Sequence, residues 1–132
     1  NLKPFKTEGK SIKILVIAGN KVVIEAIKLV LEKTFPKIDI EIANKSSLAL
    51  YTLTLSTESE FDLILLSRSP RFEDERSKKG MEIVSHLQRF RKNACLMFLY
   101  STENGTGDLL LKRGEIDHNV GISELMEVFE AL

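Results

Sequence analysis

The chain has 132 residues, 43% apolar and 29% charged, with seven glycines and three prolines; that is the composition of one globular domain, and it excludes collagen, long disordered tails and low-complexity linkers. Nineteen basic residues balance nineteen acidic ones, so the basic excess that phosphate contacts demand of a nucleic-acid binder is missing. The lone Cys95 excludes an internal disulfide, no Cys/His cluster suggests zinc, and the longest apolar run, Ala94 to Tyr100, is far too short to cross a membrane.

Residues 1–11 are polar, carry Pro4 and Gly9, and read as an N-terminal tail or linker ahead of a domain spanning 12–132. The chain opens on Asn1 rather than Met, as a fragment of something larger would. Ile12 to Ala18 is a run of branched apolar residues, the pattern of a strand buried on both faces, and Gly19-Asn20 breaks it. Lys21 to Phe35 sets Val22, Val23, Ala26, Ile27, Val30, Leu31 and Phe35 at helical spacing before Pro36 stops it. Ile38 to Ala43 alternates as a half-exposed strand does. Ser46 or Ser47 is expected to cap a helix with Leu48, Tyr51 and Leu55 as its buried stripe and Leu53 on the flank.

Phe61 to Leu66 is a further apolar strand, and Ser67 to Lys79 is polar. A helix from about Gly80 to Phe90 carries Met81, Ile83, Val84, Leu87 and Phe90 as its stripe. Cys95 to Tyr100 is a buried strand and Ser101 to Gly107 a loop. Asp108 to Arg113 is a short helix, Glu115 to Val120 a weak edge strand, and Ser123 caps a last helix whose stripe is Leu125, Met126, Phe129 and Leu132. Strict alternation of strands and helices predicts an α/β domain with a parallel, doubly wound sheet and helices on both faces.

The segment Phe61-Asp62-Leu63-Ile64-Leu65-Leu66-Ser67 resembles the third strand of response regulator receiver domains, where an acid precedes the apolar run and the phosphorylated aspartate ends it. Pro70, Gly80-Met81-Glu82-Ile83 and Gly114 to Ser123 resemble the family's later landmarks, so the resemblance covers about residues 11–132. It implies a flavodoxin-like, five-stranded parallel sheet of order 2-1-3-4-5, with a functional crevice at the carboxyl ends of strands 1 and 3.

Receiver chemistry requires a carboxylate that attacks a phosphoryl group and a cation held by nearby acids to neutralise both. The resemblance sets the acidic pair at Ala18 and Gly19 and the phosphoacceptor at Ser67. It sets the Thr or Ser at Tyr100, or at Ser101 if the register slips by one. The lysine falls at Gly121, or at Val120 with a slip, and the switch aromatic at His118. The acids, the acceptor and the lysine have lost their chemistry. The resemblance therefore implies a degenerate receiver, not an enzyme, with no metal or cofactor, acting through binding.

Rival readings use the same residues. Ser67 could be a nucleophile with His86 or His118 as base, but the elbow G-x-S-x-G is absent. Asn20, Ser67, Arg68, Ser101 and Thr102 could converge on water or a small anion, which leaves a small flavodoxin-like enzyme or ligand-binding domain as the alternative. A displaced acceptor, Asp62 or Asp74, would keep phosphorylation, though Asp62 falls at the wrong end of its strand. Residues 68–79, with Phe72 their only large apolar group, are either a solvated loop or a binding loop. Leu109 to Leu111 cannot all point inward on a helix. With Lys112, Arg113, Glu124, Glu127 and Glu130 an exposed leucine such as Leu109 would form a mixed contact patch. The expected partner is a signalling protein, or a second copy held through the short helix, strand 5 and last helix. No nucleic acid or membrane insertion is expected, and a cytoplasmic location is.

Overall fold

The computed structural model describes residues 11–67, 78–100 and 112–130. Its strands are β1 (Ile12–Ile17), β2 (Ile38–Ala43), β3 (Leu63–Ser67), β4 (Cys95–Tyr100) and β5 (His118–Gly121). They pair throughout in parallel in the order β2-β1-β3-β4-β5. Parallel neighbours need crossovers, and α1 (Lys21–Thr34), α2 (Ser46–Leu55) and α3 (Lys78–Leu87) supply those from β1 to β2, β2 to β3 and β3 to β4, while α4 (Leu125–Glu130) follows β5. This is the doubly wound architecture and strand order expected.

The sheet separates two apolar layers. Leu15, Ile17, Ile64, Leu66, Leu96 and Phe98 pack with Ala49 and Leu53 of α2 and Ile83 and Leu87 of α3. Ile14, Val16, Leu63, Leu65, Met97 and Leu99 pack with Ile24, Ile27 and Leu31 of α1 and Leu125 of α4. Alternation along each strand sorts side chains between the layers, so β1, β3 and β4 must be apolar at nearly every position. Edge strand β2 is covered less, and its Asp39 and Glu41 face solvent.

The helix faces correct several expectations. On α1 the buried residues are Ile24, Ile27 and Leu31, while Val22 is 77% exposed. On α2 the inward residues are Ala49 and Leu53, and Leu48, Tyr51 and Leu55 are exposed. Five of its ten residues are large apolar groups spread around the axis, so spacing does not select one stripe; small Ala49 is the residue that lies flat against the sheet layer. Lys45, not Ser46 or Ser47, is the N-cap of α2, with no side-chain bond. α3 starts at Lys78 and tightens into a 3-10 turn, Gln88–Phe90. The last helix opens as a 3-10 turn, Ile122–Glu124, so Ser123 lies inside that turn, and Met126 is exposed while Leu125 is buried.

Two aspartates start strands in the same way. Asp62 donates its N–H to Lys13 O at 2.8 Å, and its Oδ2 accepts from Lys13 N at 2.9 Å. Asp117 donates its N–H to Leu96 O at 2.8 Å, and its Oδ2 accepts from Leu96 N at 2.8 Å. In each bracket a carboxylate stands in for the carbonyl of a ladder that has not yet begun. Gly114, at φ +72, makes the turn ahead of the second bracket, a conformation open to glycine at little steric cost.

Candidate functional site

Parallel α/β sheets bind ligands at the carboxyl ends of their strands, so that edge is where function is to be sought. Ser67 is the last residue of β3 and is fully buried. It pairs with Leu99 of β4, and Leu99 pairs with Val120 of β5. Ile17 pairs with Leu66, so Ala18 lies alongside Ser67. The row Ala18, Ser67, Leu99, Val120 is buried throughout. It faces the α1 and α4 layer, to which Ala18, Leu99 and Val120 belong. Among the described residues the Ser67 hydroxyl has no hydrogen-bond partner. A polar group so placed costs roughly 1–3 kcal/mol relative to a satisfied one.

The positions implied by the resemblance do assemble at this edge. Ala18 and Gly19 follow β1, Ser67 ends β3, Tyr100 ends β4, and Val120 and Gly121 end β5. Among the described residues, none of these strand ends carries a carboxylate or an amine. No group of three or more His, Cys, Asp or Glu is placed to hold a metal ion among the described residues. His118 is half-buried at the start of β5, paired with Met97. It lies two strands over from Ser67 and two ladder steps short of it, on the order of 12 Å by strand spacing and rise. His86 sits on α3, also half-buried. Among the described residues neither histidine stands beside the Ser67 hydroxyl to act as its base.

Asn20 is withdrawn from the crevice. Its Oδ1 accepts from Val22 N at 2.9 Å and Val23 N at 3.2 Å, capping α1 and occupying the amides an anion would use. Asp62 lies at the opposite end of β3, engaged with Lys13, so it cannot replace the acceptor. Phe72, Asp74, Arg68, Ser101, Thr102 and Leu109 lie outside the described residues. Lys112, Arg113, Glu124 and Glu127 are exposed, and Arg113 pairs with Glu115 at 3.1 Å. No helix among the described residues is long and apolar enough to cross a membrane.

Sequence reasoning missed the open face of α2, because its apolar residues were assigned to the core. It also missed Arg89, which donates from Nη1 to Leu53 O at 3.1 Å and from Nη2 to Ser56 O at 3.4 Å. Those carbonyls end α2, and a distant cation that caps them leaves no local signal.

In sequence the chain matches no family model and no curated protein. In structure it is similar to the phosphorylated cyanobacterial phytochrome response regulator RcpA. The TM-score is 0.69 at 17% identity, over 92% of this chain and 91% of that one. A CheY-like receiver domain protein from Methanospirillum hungatei JF-1 gives 0.67 at 16% identity, over 92% and 93%. A de novo designed Rossmann 2x3 protein gives 0.58 at 16%, over 89% and 86%. The chain has the fold of response regulator receiver domains, and the designed protein illustrates that this architecture fixes no chemistry by itself.

Proposed function

Starting from a receiver fold, we propose that this chain is a signal-transduction receiver-like domain that has lost phosphoryl transfer and works as a phosphorylation-independent protein-interaction module. The observation that carries the reading is Ser67: a buried hydroxyl, without a hydrogen-bond partner among the described residues, stands at the end of β3, between Ala18 and Leu99. A serine cannot form the acyl phosphate of an aspartate. Ala18, Gly19 and Gly121 offer neither a metal ligand nor a cation to the phosphoryl group. A domain without that switch acts through what its surface binds.

The partner is a signalling protein or a second copy, engaged through the 108–113 segment, β5 and α4. Exposed Lys112, Arg113, Glu124 and Glu127 supply a polar rim of both signs. The reading places the domain in the cytoplasm, where buried Cys95 stays reduced. The test is incubation with Mg²⁺ and a small phosphoryl donor, followed by intact mass measurement. The protein is expected to gain no phosphoryl group. A stoichiometric gain mapped to an acidic residue would overturn the reading.

A further inference from the structure

The sheet ends at β2, which pairs with β1 alone. The ladder fixes which way its backbone groups point. Ile12 N donates to Lys37 O at 3.0 Å, and Ala18 N donates to Ala43 O at 3.1 Å. Bonding residues alternate along a parallel strand, so Lys37, Asp39, Glu41 and Ala43 turn their backbone groups to β1. Ile38, Ile40 and Ile42 turn theirs to the open side, where no described residue bonds them. Neither proline nor glycine interrupts the strand from Ile38 to Ala43, so its edge is a template for a further strand. The side chains alternate as well. The three isoleucines are half-buried against the α1 layer. Asp39 and Glu41 are exposed and make no ion pair among the described residues. Lys13, which pairs with Asp39 across the ladder, is engaged by Glu60 at 3.0 Å.

We propose that the open edge of β2 takes an extended partner segment that alternates basic and apolar residues, added antiparallel as a sixth strand. Antiparallel pairing is the more stable per residue. Opposite Asp39 and Glu41 it forms the non-hydrogen-bonded pairs, in which Cα atoms stand about 4.5 Å apart and side chains are closest. A lysine or arginine at each of those positions meets an acid that has no ion pair of its own. The apolar residues between them bond the backbone of Ile38, Ile40 and Ile42 and extend the α1 layer over those side chains. A second copy does not fit. β2 laid antiparallel on β2 in full overlap sets Asp39 against Glu41 twice, like charge against like. The charges that keep the edge from pairing with itself therefore select a basic strand. Main-chain bonds supply the affinity and alternate side chains the specificity. β2 lies at the opposite end of the sheet from β5, and the proposal does not depend on the receiver reading.

The probe is a short synthetic peptide that alternates lysine and valine, with capped ends, titrated into the full chain and followed by amide NMR. Saturable shifts along β2 are expected, with slower exchange of the Ile38, Ile40 and Ile42 amides. A peptide with glutamate in place of lysine binds about ten-fold more weakly. Asp39→Asn/Glu41→Gln weakens the lysine peptide about five-fold, and Asp39→Lys/Glu41→Lys reverses the preference between the two peptides. Ile40→Pro deletes an outward N–H and leaves the bonds to β1 in place, so it weakens binding about ten-fold or more while the chain stays folded. Should Ile40→Pro disturb the fold, N-methylation of the peptide's valines blocks the same edge bonds without touching the protein and lowers affinity equally. The absence of saturable shifts at about 1 mM peptide would overturn the proposal. So would equal binding of the lysine and glutamate peptides, or binding indifferent to N-methylated valines.

Discussion

Ser67 and Leu99 are paired across the β3–β4 ladder, and both are fully buried. The polar atom that the Ser67 side chain adds to this row is a hydroxyl with no hydrogen-bond partner among the described residues. Removing it relieves a desolvation cost and leaves only a small void. Ser67→Ala is therefore expected to be neutral or stabilising, by up to about 1 kcal/mol, in urea denaturation. Ser67→Asp does the reverse. It puts a carboxylate beside Ala18 and Leu99 without a compensating cation, and a loss of about 3 kcal/mol or more is expected. A stable Ser67→Asp protein that takes up Mg²⁺ would contradict this view of the edge.

Asp62 and Lys13 hold the amino end of the sheet through two hydrogen bonds, and Cys95 N donates to Asp62 O at 3.0 Å. Loss of the carboxylate orphans the Lys13 amide. Asp62→Ala is expected to cost about 1–2 kcal/mol, and Asp62→Asn, which keeps an accepting oxygen, less than half of that. Equal losses in the two variants would mean that the oxygen bond is not what matters.

Arg89 reaches back from the 3-10 turn after α3 to the carbonyls of Leu53 and Ser56, with its guanidinium 5.5 Å from the Phe90 ring centroid. It ties α3 to the end of α2. Arg89→Ala is expected to cost about 1 kcal/mol and to raise amide exchange in the last turn of α2 before that in α1. Uniform exchange across the molecule would show that no local cap was lost.

Lys13 bonds Glu60 at 3.0 Å on the surface. The Glu60 hydrogen bond, opposed by desolvation and aided by the charges of Glu60, Asp39 and Glu41, raises the Lys13 ammonium above its usual 10.5. A cation whose folded pKa is raised contributes stability that is complete below the unfolded pKa and lost as pH climbs through the folded one. Stability is therefore expected to fall above pH 10.5 more steeply in the native protein than in Glu60→Gln. The loss is shallow because the pair is solvated. Parallel curves for the two proteins would remove Glu60 as the cause.

The fold was legible wherever burial forces composition. β4 spans Cys95 to Tyr100, the expected bounds and all but the first residue of the apolar run from Ala94, because both faces of that strand are covered. β5 was harder: only four residues pair, and its start is set by Asp117 rather than by hydrophobicity. α2 was placed but turned the wrong way, since a helix without charges carries no sign of its wet side. At the edge, alignment with receivers put Ser67 and Ala18 side by side, as the ladder does. It could not show that Asn20 caps α1 instead of facing the crevice. Asp62, noted as an acid ahead of a strand, acquired its reason only from the Lys13 amide.

The central claim is that the carboxyl edge no longer binds a metal or a phosphoryl group. A two-dimensional amide NMR titration with Mg²⁺ and then beryllofluoride, a phosphoryl mimic, tests it most directly. The account predicts no shifts at Ala18, Gly19, Ser67 and Tyr100 at any concentration of either. Saturable shifts at those amides, spreading to β5 and α4, would mean that a working switch survives on other ligands and would contradict it.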